Sequence, residues 1–407
     1  MEEVYIYDSL RTPFGKGNKE GALFEVRPVD LLNQCLKAIQ RRNELSTELV
    51  EDFLIGCVMP MGGQADNIAK TALLLANWSV TTPGMQINRF QVSGLESIAL
   101  AATKIKSGWN SLVVAGGIES MSRIQRANNR GALSNDPDML NRMGAIPSGV
   151  AADLLATIKN LDKQQLDNFA FQSLRKAQKA LDEQALQQSV IPIYDQNRIV
   201  ILDKDETVEP AESEEAIALA APIFPKVNRV GYDAIALRKY PLVERINPVH
   251  SQKNIASTAD SAALMLLGNS SLQKQLGRKP RAIIRYIYTT STELTLTHLG
   301  GIAATKTALV KARLTAKDID LWYVNESFAA PALLFQRKFE IPDERFNPCG
   351  GNIAFGESLG AKGTVLLGIL LDELERQQLH RGLVAISAET GIGGCMIIER
   401  MENKNMI

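Results

Sequence analysis

Only four cysteines and three histidines occur among 407 residues, and neither set is arranged for metal or disulfide chemistry. Cys35, Cys57, Cys349 and Cys395 lack any CxxC spacing, which excludes a disulfide framework and a zinc site. His250, His298 and His380 lie far apart in the chain. All seven read as core filler or solvated surface, Cys349 least so because it directly precedes a Gly-Gly loop. No metal is expected. A surplus of charge is also missing: 45 basic residues balance 45 acidic ones, so no electrostatic footprint favours nucleic acid or an anionic membrane. Long apolar runs are missing too. No segment reaches the roughly 20 apolar residues of a membrane span, and "MEEVYIYDSLRTPFGKG" lacks the head and apolar run of a secretory signal. A cytoplasmic location is the expectation.

What is present is a repeat. "LLNQCLKAIQRRNELSTELVEDFLIGCV" predicts an amphipathic helix, a Ser-Thr start signal, an acidic turn and a buried strand. "ATKTALVKARLTAKDIDLWYVNES" follows the same plan. Downstream, "SGLESIALAATKIKSGWNSLVVAGG" and "LGAKGTVLLGILLDELERQQLHRGLVAISAETGIGG" each give a helix, a polar turn and a strand running into glycines. Two copies of one α/β unit follow, each covering the apolar helix faces of the other. We place the N-terminal half at residues 1–118 plus about 246–275 and the C-terminal half at 276–407. An inserted loop domain at 119–245 carries a helical "QQLDNFAFQSLRKAQKALDEQ", a short strand pair near "IPIYDQNRIVILD" and a Pro-rich run near "APIFPKV". Inserts of this size on a duplicated core often carry substrate-facing loops.

The segments "DSLRTPFGKG", "NRFQVSGLESIALAATKI", "VVAGGIESMS", "NESFAA", "GGNIAFGESLGAKG" and "RGLVAISAETGIGGCMIIE" together resemble the thiolases, the lineage of acetyl-CoA acetyltransferases and 3-ketoacyl-CoA thiolases. The likeness covers nearly the whole chain. It implies an α/β thiolase fold: duplicated βαβαβαββ halves in five α-β-α-β-α layers with an inserted loop domain. It also implies a reaction in which one cysteine takes the acyl group, a histidine activates it, and a second cysteine moves the proton at the substrate α-carbon.

Position by position, the family's nucleophile falls on Gln91 in "NRFQVSG", its Gly-His-Pro histidine on Glu357 in "FGESLG", and its second cysteine on Ser387 in "RGLVAIS". A carboxamide cannot attack a thioester. Of the polar set only Asn325 in "NESF" is kept, where the family's asparagine holds an oxyanion-stabilising water. The family's Met-Gly pair falls on Ser148 and Gly149, and its pantetheine-loop serine on Ala256 with Ser257 beside it. With Phe328 and Glu389, these are the implied substrate contacts. CoA or acyl-CoA is the implied ligand, and no other cofactor is expected.

Three readings stay open. The chain acts on or binds acyl thioesters without being a competent thiolase alone. It is a noncatalytic or partner-dependent subunit, with Gln91 as a hydrogen-bonding plug like the glutamine of chain-length-factor subunits in the related ketosynthases. Or it is a non-thiolytic enzyme, a decarboxylase, retro-aldolase or hydratase, using backbone N–H groups near Gln91 and Glu389 as an oxyanion hole and Glu357 as base. Cys349 as a displaced nucleophile is a further expectation. The expected partners are an acyl-CoA or acyl-carrier thioester and a second copy of the chain, as homodimer or homotetramer. "PGMQINRF" resembles the family's pairing strand, and a heteromer with an active homologue is the alternative.

Overall fold

The computed structural model describes residues 2–124, 131, 136–208, 213–224 and 231–401. The Pro-rich run near residue 225 therefore lies partly outside the described residues.

Twelve strands follow one another along the described chain. In the first half these are β1 (Tyr5–Arg11), β2 (Gly15–Lys16), β3 (Asp52–Gly56), β4 (Gly84–Ile87) and β5 (Leu112–Ser120). The insert contributes β6 (Ile193–Tyr194) and β7 (Val200–Leu202), and the chain then returns as β8 (Ala259–Gly268). The second half holds β9 (Ala282–Ser291), β10 (Leu321–Val324), β11 (Arg381–Ser387) and β12 (Ile392–Arg400).

The strand order is β4-β3-β5-β8-β1 in one half and β10-β11-β12-β9 in the other. β3 runs parallel to β5, and β10 parallel to β11; β8 and β12 are antiparallel to both of their neighbours. The second half thus repeats the first minus the edge strand β4. The two sheets meet where β1 and β9 pair at Tyr5–Ile283 and Ile6–Ala282.

Burial explains the layering. The helix Ser93–Lys106 buries Leu95, Ile98, Ala101, Ala102 and Ile105, the spacing of an amphipathic helix. Its counterpart Lys362–Arg376 is buried from Lys362 through Leu374, so it has no solvent face. Both belong to the core cluster that also holds Met265 and Leu267 of β8 and Met396 and Ile398 of β12. They form the middle layer between the sheets. Pro28–Arg42 and Gly300–Ala312 cover the outer faces. The insert's long helix, Lys163–Asp182, starts with a capping box in which Asp162 and Gln165 exchange hydrogen bonds, the reciprocal arrangement that satisfies two orphan N–H donors.

Candidate active site

The turn before Ser93 is what places Gln91. Asn88 Oδ1 accepts from Phe90 N at 3.0 Å, and Ser93 Oγ accepts from Arg89 N at 2.8 Å while donating to Phe90 O at 2.5 Å. Phe90 is held at φ +48, a left-handed conformation that costs about 1 kcal/mol for a non-glycine residue. Gly94 permits the close approach this needs, since a Cβ there would lie 2.5 Å from Gly360 O.

Gln91 emerges at the helix mouth, 6% exposed. Its Oε1 accepts a hydrogen bond from Glu389 N at 3.0 Å. The backbone donor expected to serve an oxyanion therefore serves the Gln91 amide. Ser148 Oγ, at the start of Ser148–Ile158, donates to Glu389 Oε1 at 3.1 Å. Ser148 and Glu389 border a cavity of about 530 Å³, lined also by Val58, Met59, Ile146, Thr297 and Phe90, the neighbour of Gln91 in the turn.

Glu357 follows Gly356, at φ +80, and its N–H donates to Ser257 O at 2.7 Å. Its carboxylate forms an ion pair with Lys362, whose side chain is fully buried. Ser327 Oγ donates to Glu357 Oε1 at 2.5 Å and stands 3.3 Å from Lys362 Nζ. A carboxylate fixed by an ammonium and a hydroxyl is poorly placed to collect a substrate proton.

Asn325 is a clamp. Its Nδ2 donates to Ser327 Oγ at 3.0 Å and to Ser387 O at 3.1 Å, and its Oδ1 accepts from Ser387 N at 2.7 Å. Both amide hydrogens are consumed, so toward a further group Asn325 offers only an acceptor. Ser387 Oγ accepts from Gly301 N at 2.9 Å, which ties it to the first turn of Gly300–Ala312.

Two residues read from the sequence as core filler or surface take definite places here. His298, taken as core filler or surface, stands inside the site. Its Nε2 is 2.8 Å from Ser148 O, its ring centroid is 5.0 Å from that of Phe328, and it shares a cavity of about 10 Å³ with Asn325, Ser327, Phe328 and Ser387. Burial pushes its pKa down to about 4, with Glu357 and Lys362 acting on it in opposite directions. Cys349, read as core filler with a displaced nucleophile as the lesser alternative, is 2% exposed, in keeping with the first reading, and burial raises its pKa to about 12. Nucleophilic cysteines need the thiolate; this one is a protonated core residue at neutral pH.

The pantetheine-loop positions diverge. Ala256 N donates to Ser327 O at 3.1 Å, while Ser257 opens onto a different cavity, about 430 Å³, with Lys16, Lys253 and Thr258. The roles of Ser327, Lys362 and His298 were missed. The available signal was a lysine five residues after a glutamate at the head of an otherwise apolar helix.

Glu119, at the end of β5, ties the two halves together at this point. It accepts from Val58 N, Met59 N, Gln64 Nε2 and Gly360 N at 2.9, 3.2, 2.6 and 2.9 Å. Burial still pushes its pKa up to about 6. Among the described residues, no cluster of ligating side chains could hold a metal.

Duplicated halves in five layers, with a site where the two central helices open, define a particular class of α/β protein. The thiolase N-terminal domain model matches residues 4–231 and the thiolase C-terminal domain model residues 278–400. The chain belongs to the thiolase family. The 3-oxoadipyl-CoA/3-oxo-5,6-dehydrosuberyl-CoA thiolase of Escherichia coli K12 is 30% identical, covering 98% of this chain and all of the relative. The 3-ketoacyl-CoA thiolase of Cronobacter sakazakii is also 30% identical with the same coverage. The solved acetyl-CoA acetyltransferase of Bacillus anthracis and the human mitochondrial 3-ketoacyl-CoA thiolase each superpose with TM-score 0.84 at 25% identity, over 98% of this chain and 99% of theirs.

Proposed function

We propose that this protein binds an acyl thioester, on CoA or on a carrier protein, in the cavity beside Gln91, and does not perform covalent thiolysis alone. The hydrogen bond from Glu389 N to Gln91 Oε1 carries the reading. It occupies a donor that a thioester oxygen would use, on a side chain that cannot be acylated. Ser327 and Lys362 engage Glu357, and Gly301 N engages Ser387. Loss of even one reacting group commonly costs orders of magnitude in rate. The relatives' names speak of CoA thioesters, which favours the same ligand class here.

The experiment is calorimetric titration with acetyl-CoA and acetoacetyl-CoA beside mass spectrometry of the protein after incubation. Saturable binding with no mass added to the chain is expected. An acylated side chain formed at the rate of cysteine-bearing relatives would overturn the reading.

A subunit role has one supporting observation. β4 is the sheet edge, and near it Leu74, Val80 and Met85 are 59, 83 and 41% exposed. An apolar, unpaired edge favours addition of a second chain. We take that chain to be a second copy, in a homodimer or homotetramer, with a cysteine-bearing homologue as the alternative. The division at about residues 118, 245 and 275 and a cytoplasmic location belong to the same proposal. No helix among the described residues is long and apolar enough to cross a membrane.

A further inference from the structure

The cavity beside Gln91 has two kinds of wall. Val58, Met59 and Leu359 belong to one packed apolar cluster, and Leu140, Ile146 and Leu294 add to the apolar lining. The polar part is a single bonded patch. Ser148 Oγ donates to Glu389 Oε1 at 3.1 Å, Thr390 Oγ1 donates to Glu389 O at 2.5 Å, and Thr297 Oγ1 accepts from Gly391 N at 3.0 Å.

Charge in this wall has one sign. Glu389 is the one acid among the described lining residues, and none of them is lysine, arginine or histidine. An anionic group entering the cavity would leave water without gaining a cation there, and would meet the Glu389 carboxylate as a like charge. An apolar chain faces no such penalty: each buried methylene is worth about 4-fold in affinity. Volume permits more than the smallest acyl group. At roughly 30 Å³ for each water-sized group, the cavity of about 530 Å³ holds about 17 of them, several times what an acetyl group and its sulfur fill.

We propose that Glu389 is a specificity-determining residue: it makes the cavity take thioesters of uncharged, apolar acyl groups longer than acetyl and reject acyl groups that end in a carboxylate. Selection works by exclusion of the wrong group rather than by an added attraction for the right one. Ser148 holds the Glu389 carboxylate at the wall. The Glu389 backbone N–H has a separate task, the bond to Gln91 Oε1 at 3.0 Å, so the side chain can be exchanged without removing that donor. The inference rests on the proposed thioester-binding reading and adds which acyl group the site takes.

The test is calorimetric titration of the full chain with acetyl-CoA, hexanoyl-CoA, adipoyl-CoA and the methyl ester of adipoyl-CoA. Adipoyl has the carbon count of hexanoyl but ends in a carboxylate, and its methyl ester is neutral. Hexanoyl-CoA should bind at least about 10-fold more tightly than acetyl-CoA. Adipoyl-CoA should bind at least about 10-fold more weakly than hexanoyl-CoA, and the ester within about 3-fold of hexanoyl-CoA. In Glu389→Gln, whose amide oxygen can still accept from Ser148, the gap between adipoyl-CoA and hexanoyl-CoA should narrow about 5-fold or more. If the amide variant does not fold, Glu389→Ala serves in its place, with the same narrowing expected. Acetyl-CoA or adipoyl-CoA as tight as hexanoyl-CoA, the ester as weak as adipoyl-CoA, or an unaltered gap in the variant overturns the proposal. Binding that ignores the acyl group would sink the selectivity and leave the thioester-binding reading standing; no binding of any of these thioesters would sink both.

Discussion

At the scale of single residues, the side chains at the substituted positions compensate one another. Glu357 is tolerable where a histidine is expected because Lys362 neutralises it and Ser327 bonds it. Removing one partner of a buried pair leaves an uncompensated charge, at about 3–5 kcal/mol, whereas replacing both by neutral groups is often harmless. Lys362→Met should therefore destabilise the protein by about 3 kcal/mol in urea titration, and Glu357→Gln combined with it should recover most of that loss. Gln91→Cys supplies sulfur without an activating base and breaks the bond to Glu389. Its thiolysis rate should stay at least about 100-fold below that of cysteine-bearing relatives; a rate near theirs would show Glu357 and Ser387 to be competent replacements.

At the scale of elements, the contact between Ser93–Lys106 and the Gly360 loop decides whether the site exists. Gly94→Ala places a Cβ 2.5 Å from Gly360 O, so the helix must retreat. We expect a loss of about 2–3 kcal/mol with weakened acyl-CoA binding, measured by denaturation and calorimetry on the same preparation. Helix and strand positions here were legible in the sequence because apolar spacing reports which face is buried. The repeat predicted a helix followed by a buried strand along residues 31–58, and the structure has Pro28–Arg42 and β3. Gln91 beside Glu389 was likewise legible from the motifs. His298 was not, because nothing local distinguishes a histidine in a solvated turn from one that folding brings against the Ser148 carbonyl of the distant insert. Lys362 was hidden for a related reason: lysine at a helix start normally reads as solvated, and only the sandwiching of that helix between two sheets buries it.

At the scale of the molecule, the buried ionisable groups set the pH response. Glu119 and Asp260 have pKa values raised to about 6 by burial. The native state holds their protons more tightly, so their contribution is complete below the unfolded values near 4 and is lost as pH rises through 6. His298 has the opposite sign: its contribution is present above 6.5 and lost as pH falls toward 4. For Glu119 alone the gain between pH 7 and pH 5 is about 1 kcal/mol. The urea midpoint of Glu119→Gln should lack that component, while its stability falls at both pH values because one amide oxygen cannot serve four N–H donors. The edge strand acts at this scale too. If β4 pairs with a second copy, Met85→Lys should shift sedimentation toward monomer, and an unchanged profile would locate the contact elsewhere.

The seam between the two sheets is only Tyr5–Ile283 and Ile6–Ala282 wide, whereas the central helices share one core with both sheets. Backbone pairing thus contributes little to cohesion across the centre, and interdigitated side chains supply most of it. A polypeptide severed in the exposed turn at Gly277 would yield two pieces, each insoluble by itself for want of a cover over its inner helix. Co-expressed, the pieces should reassemble without any covalent link.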